Sequence, residues 1–184
     1  MKNEINMRYL KFYLALVALL SCGHCFAFDF EVDGLYYNVI SDNEVEITYN
    51  ELYDGGYSGK LIIPEKVKYD GKDYNVIAIG NLAFYECKGL TGSLNIPSNI
   101  TSIGSNAFTG CTGFTGSLVI PNSVKSIGAQ SFSGCEGFNG TLTLPNEIES
   151  IENATFLGCS GFIGSLVIPK SVKSIGETAF ASCK

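Results

Sequence analysis

Apolar and polar positions recur along most of this chain in a unit of twenty-four residues, and each unit carries the same short alternations. In the copy that starts at Gly113, Leu118 and Ile120 flank Val119, the period-two pattern of a strand with Val119 facing outward. Pro121 ends that strand, since proline cannot donate to a sheet ladder, and the column Pro64, Pro97, Pro121, Pro145, Pro169 marks a corner. Val124 and Ile127 begin a second, shorter extended segment. Gly128 follows, and its column with Gly80, Gly104 and Gly176 predicts a turn of positive φ, interrupted by Glu152. The next segment, Ala129 to Cys135, has the length of one or two helical turns, with Phe132 and Cys135 three apart on one face.

Cysteines return at Cys87, Cys111, Cys135, Cys159 and Cys183, and phenylalanines at Phe84, Phe108, Phe132, Phe156 and Phe180. A second column, Tyr57, Leu90, Phe114, Phe138 and Phe162, predicts another apolar spine running along the same axis. Fixed self-similarity of this length marks a repeat architecture, in which each unit buries its apolar face only against its neighbours. Four units run from Gly89, Gly113, Gly137 and Gly161. An earlier copy begins at Gly56, where Gly56 to Pro64 matches Gly113 to Pro121, and carries an insertion near 68–76 whose Asp70-Gly71 predicts a hairpin protruding from the first coil. The expected domain is an array over 56–184.

The pattern changes before that array. Phe28, Phe30 and Val32 alternate with Asp29, Glu31 and Asp33, followed by Leu35, Tyr37, Val39 and then Val45, Ile47, Tyr49. Turns at Asp33-Gly34 and Ser41-Asp42-Asn43 make this a three-stranded antiparallel β cap over 28–55. The opposite end stops at a full unit, and an open last coil is expected there.

Residues 1–27 read as an export signal: Lys2, Arg8 and Lys11, an apolar run from Tyr13 to Leu20, and a small-residue cleavage site at Ala27. The run is too short for a spanning helix, which needs ~20 residues. Leu19 to Cys22 supports an alternative, lipoprotein anchoring at Cys22. Removing the signal leaves nine basic against seventeen acidic residues, a net charge of −8, and takes away the sole His24 and sole Arg8. Such a chain is a poor binder of phosphate backbones and lacks the usual general base, so nucleic acid, small-molecule substrate, cofactor and metal are not expected, nor is enzyme activity.

Export implies an oxidising compartment, where cysteines commonly pair. Coils stacked at ~4.8 Å put successive Cβ atoms too far apart for a disulfide, which prefers ~3.8 Å. A buried ladder of free thiols is the expectation, with disulfides or metal as the alternatives.

The unit Gly113 to Cys135, with its recurring Ile-Pro, Ser-Ile-Gly, Ala-Phe and Gly-Cys elements, closely resembles the leucine-rich repeats of the BspA-like family over about 56–184. The opening Phe28 to Tyr37 also looks like the mature start of such proteins from Bacteroidetes-type bacteria. The resemblance implies an α/β repeat fold: a leucine-rich-repeat solenoid of five mainly parallel β coils with short helical turns. It also implies a secreted or cell-surface protein, adhesin-like, contacting host extracellular-matrix proteins or other cells.

The candidate protein-binding face is the set of outward positions. These are Asn95, Val119, Thr143 and Val167 on the longer strands and Thr101, Lys125, Glu149 and Lys173 after the proline corner. In the second set Lys125, Glu149 and Lys173 would stack with alternating sign. The alternative function is a structural or self-assembling envelope spacer, joining end to end through the last coil.

Overall fold

The structure, a computed structural model, describes residues 28–49 and 56–183. The export signal and the Cys22 alternative lie outside the described residues. Strands β1 (Phe30–Val32), β2 (Leu35–Ser41) and β3 (Glu44–Thr48) form an antiparallel meander, with positive φ at Asp33 and Gly34 closing the first turn. The meander runs directly into the array. β3 pairs in parallel with β6 (Lys72–Ile79), placing Ile47 beside Ile79, and the same ladder continues through Ser102–Ile103 to Ser126–Ile127.

β4 (Ser58–Lys60) pairs in parallel with Gly89–Thr91. β5 (Lys66–Tyr69) and β6 are joined by Asp70 and Gly71, both at positive φ, in the two-residue geometry that suits the right-handed strand twist. This hairpin does not protrude, because Tyr69 stacks on Phe30 at 4.3 Å and Val67 is buried. Successive units then stand directly over one another. Ser126 pairs with Ser102, Leu142 with Leu118 and Ser174 with Ser150, each partner one repeat away.

Two expectations are corrected. Among the described residues no α-helix forms in the segments equivalent to Ala129–Cys135. A helix needs each N–H to bond within the segment, but here every second donor goes to the next coil: Asn106 to Ala129, Phe108 to Ser131 and Gly110 to Ser133. The intervening Ala107, Thr109 and Cys111 close short turns onto Gly104, Asn106 and Phe108. Left-handed φ at Leu82, Asn106, Gln130, Ala154 and Thr178 produces that alternation and prevents a helix from propagating.

The glycines of the Ser-Ile-Gly column are not left-handed. Their requirement is clearance: a Cβ on Gly128 would lie 2.4 Å from the Ser105 nitrogen and 2.7 Å from the Gly104 carbonyl carbon. At the glycine junctions adjacent coils approach too closely for a side chain.

One apolar core extends from Phe30 to Ala179. The rings of Phe84, Phe108, Phe132, Phe156 and Phe180 stack in sequence at centroid distances of 5.1 to 5.6 Å. Aromatic pairs in this range add about 0.5–1.5 kcal/mol beyond area burial.

Candidate protein-binding surface

The interior columns determine what is left for the surface. Cys111, Cys135, Cys159 and Cys183 each donate a thiol hydrogen bond to the carbonyl of Phe84, Phe108, Phe132 and Phe156 in the preceding coil, at 3.0 to 3.1 Å. Burial, the largest cause, pushes the Cys159 thiol up to about 12 and raises Cys111, Cys135 and Cys183 as well. Cys111, Cys135, Cys159 and Cys183 form no disulfide among the described residues. A protonated, inward-facing thiol is a coil-to-coil fastener and a poor nucleophile.

All eight positions of the sequence-derived face are exposed. They do not form one site. Val119 and Thr143 lie in the two-residue strands Leu118–Val119 and Leu142–Thr143, which pair in parallel, whereas Asn95 and Val167 fall outside any strand, so the longer strands expected for this column are corrected to short ones. Ile62, 72% exposed, also belongs to this column, and the match of Gly56–Pro64 to Gly113–Pro121 is the sequence signal that aligns it with Val119. The column is thus apolar at three positions and polar at two.

Thr101, Lys125, Glu149 and Lys173 lie beyond the proline corner. Lys173 pairs with Glu149 at 2.8 Å, but Lys125 pairs with Glu147 and not with Glu149. The continuous ladder of alternating charge is therefore corrected to two separate pairs. Glu147 stands two residues nearer the corner, within reach of the Lys125 ammonium. That ammonium holds the Glu147 carboxyl below its usual value, first through the hydrogen bond and then through charge.

Beside these pairs an open groove of about 670 Å³ follows the Ser-Ile-Gly column. Its lining includes Glu46, Ser102, Lys125, Glu147, Ser150 and Glu152. Of the predicted face only Lys125 and Glu149 border it. Ser102, Ser126 and Ser150 recur visibly in the sequence, but nothing in their spacing marks a groove. Four carboxylates against one lysine give the groove a negative field, suited to a basic or hydrogen-bond-donating surface. Among the described residues, no group of His, Cys, Asp and Glu has the arrangement to hold a metal ion.

The family model for the BspA type leucine rich repeat region matches residues 63–184, in six copies. The chain belongs to this family. A search of the curated proteins finds no match. Among solved structures, the leucine rich repeat protein of T. pallidum is 27% identical with a TM-score of 0.65, over 84% of this chain and 67% of its own. A leucine rich cell surface protein from Faecalibacterium prausnitzii A2-165 is 23% identical with a TM-score of 0.51, over 89% of this chain and 53% of its own. The pneumococcal vaccine antigen PcpA, 18% identical with a TM-score of 0.54, is covered over 47% of its length by 84% of this chain. The latter two share the fold alone, and this BspA-type chain spans about half of each.

Proposed function

We propose that this BspA-type array is a secreted or cell-surface protein-binding module, adhesin-like, that contacts extracellular-matrix proteins or other cells through its outward columns. The observation that carries this reading is the contrast within each coil: interior positions are closed by the next coil, while Ile62, Val119 and Val167, at equivalent positions of their repeats, remain 54% to 77% exposed. Large apolar side chains recurring at one position of a stacked repeat are what a protein partner can bury. Coils at ~4.8 Å make a face only ~24 Å long, and a stable interface takes ~800 Å² from each side, so single contacts are weak and multivalency supplies the strength.

The supporting experiment displays the chain multivalently on beads and measures retention on matrix proteins and bacterial surfaces. Val119→Asp with Val167→Asp is expected to reduce retention at least about tenfold while leaving the unfolding transition in place. Retention unchanged by the pair, or absent on every surface, would contradict the reading.

Self-association is the second reading, favoured by exposed Leu166, Val167, Ile168 and Ile175 in the last described coil. A tail-to-tail pair is disfavoured by hydrogen-bond polarity. Thr178, Phe180 and Ser182 all direct N–H groups toward the position of a following coil, with no acceptor among the described residues. Two such edges in register would set donor against donor along this column, while the Ser-Ile-Gly column of the same edge presents acceptors, as Glu149 and Ile151 do to Lys173 and Gly176.

A further inference from the structure

In the Ser-Ile-Gly column one N–H closes each junction by reaching back one rung: Gly80 to Ile47, Gly104 to Ile79, Gly128 to Ile103 and Gly176 to Ile151, all at 2.7 to 2.8 Å. The remaining junction has Glu152 at this position, and among the described residues its N–H makes no such bond to Ile127. The companion bond is missing too. Lys125 and Lys173 donate to Thr101 and Glu149, but Glu149 does not donate to Lys125. The parallel sheet is cut here, with Ser126–Ile127 and Ser150–Ile151 in different sheets.

The cause is a single carbon atom. A Cβ built on Gly80, Gly104, Gly128 or Gly176 would come within 2.4 to 2.8 Å of the backbone of the preceding rung. Glu152 brings that Cβ, and the rung moves away. Both aromatic spines record the displacement. Phe132 and Phe156 are 5.6 Å apart where the other rings of that spine stand at 5.1, 5.3 and 5.4 Å. Phe114 and Phe138 are 5.8 Å apart, against 5.3 Å for Phe138 and Phe162.

The other two columns hold across the same junction. Gln130, Phe132 and Gly134 donate to Asn153, Thr155 and Leu157 at 2.7 to 3.0 Å, and Leu118 and Ile120 to Thr141 and Thr143 at 2.9 and 3.0 Å. On the open side the link is the exposed Lys125–Glu147 pair, a contact of the kind worth little in water.

We infer that the junction between Gly113–Glu136 and Gly137–Ser160 is a built-in opening point, held apart by the Cβ of Glu152, which divides the array into two blocks that rock about the intact columns. The groove lies on the open side, with Lys125 on one block and Glu147 and Glu152 on the other, so rocking alters its width. Hinges of this type concentrate displacement at a few positions while the packed units stay rigid.

Amide hydrogen exchange on the full chain tests the inference, comparing wild type with Glu152→Gly, Glu152→Ala and Glu152→Gln and using the Phe132 amide as an internal reference for folding. The wild-type Glu152 amide is expected to be at least about tenfold less protected than those of Gly128 and Gly176. Glu152→Gly restores protection to within about threefold of theirs. Glu152→Ala and Glu152→Gln do not, because both keep the Cβ. Equal protection of residue 152 and Gly128 in the wild type, failure of Glu152→Gly to restore it, or restoration by Glu152→Ala or Glu152→Gln would each overturn the inference.

Discussion

The unit from Gly113 to Glu136 and the unit from Gly161 onward carry nearly the same residues in the same columns, but water reaches them very differently. Leu118 and Ile127 are 0% and 3% exposed, whereas their counterparts Leu166 and Ile175 are 38% and 52% exposed. The residue types are identical, so the difference arises from the neighbour. A middle coil is sealed on both sides, and the last described coil on one. Burial here is a property of stacking, which is the nearest-neighbour energetics of a quasi-one-dimensional protein.

The largest test of that comparison is ring removal. Phe132→Ala is expected to cost about 3–5 kcal/mol, because the ring is enclosed between Phe108 and Phe156 and its loss leaves a cavity. Phe180→Ala, which removes a ring that among the described residues stacks on Phe156, is expected to cost about 1–2 kcal/mol. Urea unfolding of both variants decides it, and equal costs would mean that the two coils are equally sealed.

A smaller effect sharpens the same contrast through the backbone. Gly128→Ala forces a Cβ against Ser105 and Gly104, with an expected cost of about 1–3 kcal/mol. Gly176→Ala meets Asn153 just as closely at 2.4 Å, but among the described residues its coil has one neighbour, so in a polypeptide ending at Lys184 it can lean away and the thermal midpoint should fall less.

The same contrast between sealed and half-sealed coils extends to a pH dependence. Because the folded-state value of Cys159 lies at about 12 against an ordinary 9.0, the unfolded chain loses this proton first. Stability is unaffected below about pH 9 and falls between about 9 and 12, by about 1.4 kcal/mol per pH unit for each such thiol. Cys135→Ala should flatten this slope measurably in urea titrations across that range. Cys183→Ala should flatten it less, since the last thiol is only half-buried and less desolvated.

The interior columns were legible in the sequence because apolar periodicity reports burial directly, and the Phe, Cys and Ile columns stack as their spacing implies. The backbone logic was not legible. Ala129 to Cys135 has helical spacing, but its hydrogen bonds are directed by left-handed residues and by acceptors one repeat away, which no local pattern displays. Gly128 illustrates a second ambiguity: glycine serves positive φ and close approach equally well, and only the neighbouring rung tells which. For that reason Glu152 read as an irregularity in a turn when it is a spacer between coils. On the surface, exposure of Val119 and Val167 followed from alternation. The Lys125–Glu147 pair and the groove beside it depend on side-chain reach across coils, and the sequence spacing pointed to Glu149 instead.

The most direct test of the stacking account is the exchange rate of four equivalent amides, those of Phe108, Phe132, Phe156 and Phe180, in the intact chain. The first three donate to Ser131, Thr155 and Ala179 in the following coil at 2.8 to 2.9 Å, and the fourth has no acceptor among the described residues. Stacking predicts strong protection at Phe108, Phe132 and Phe156 and rapid exchange at Phe180. Protection of Phe180 equal to the others would contradict it.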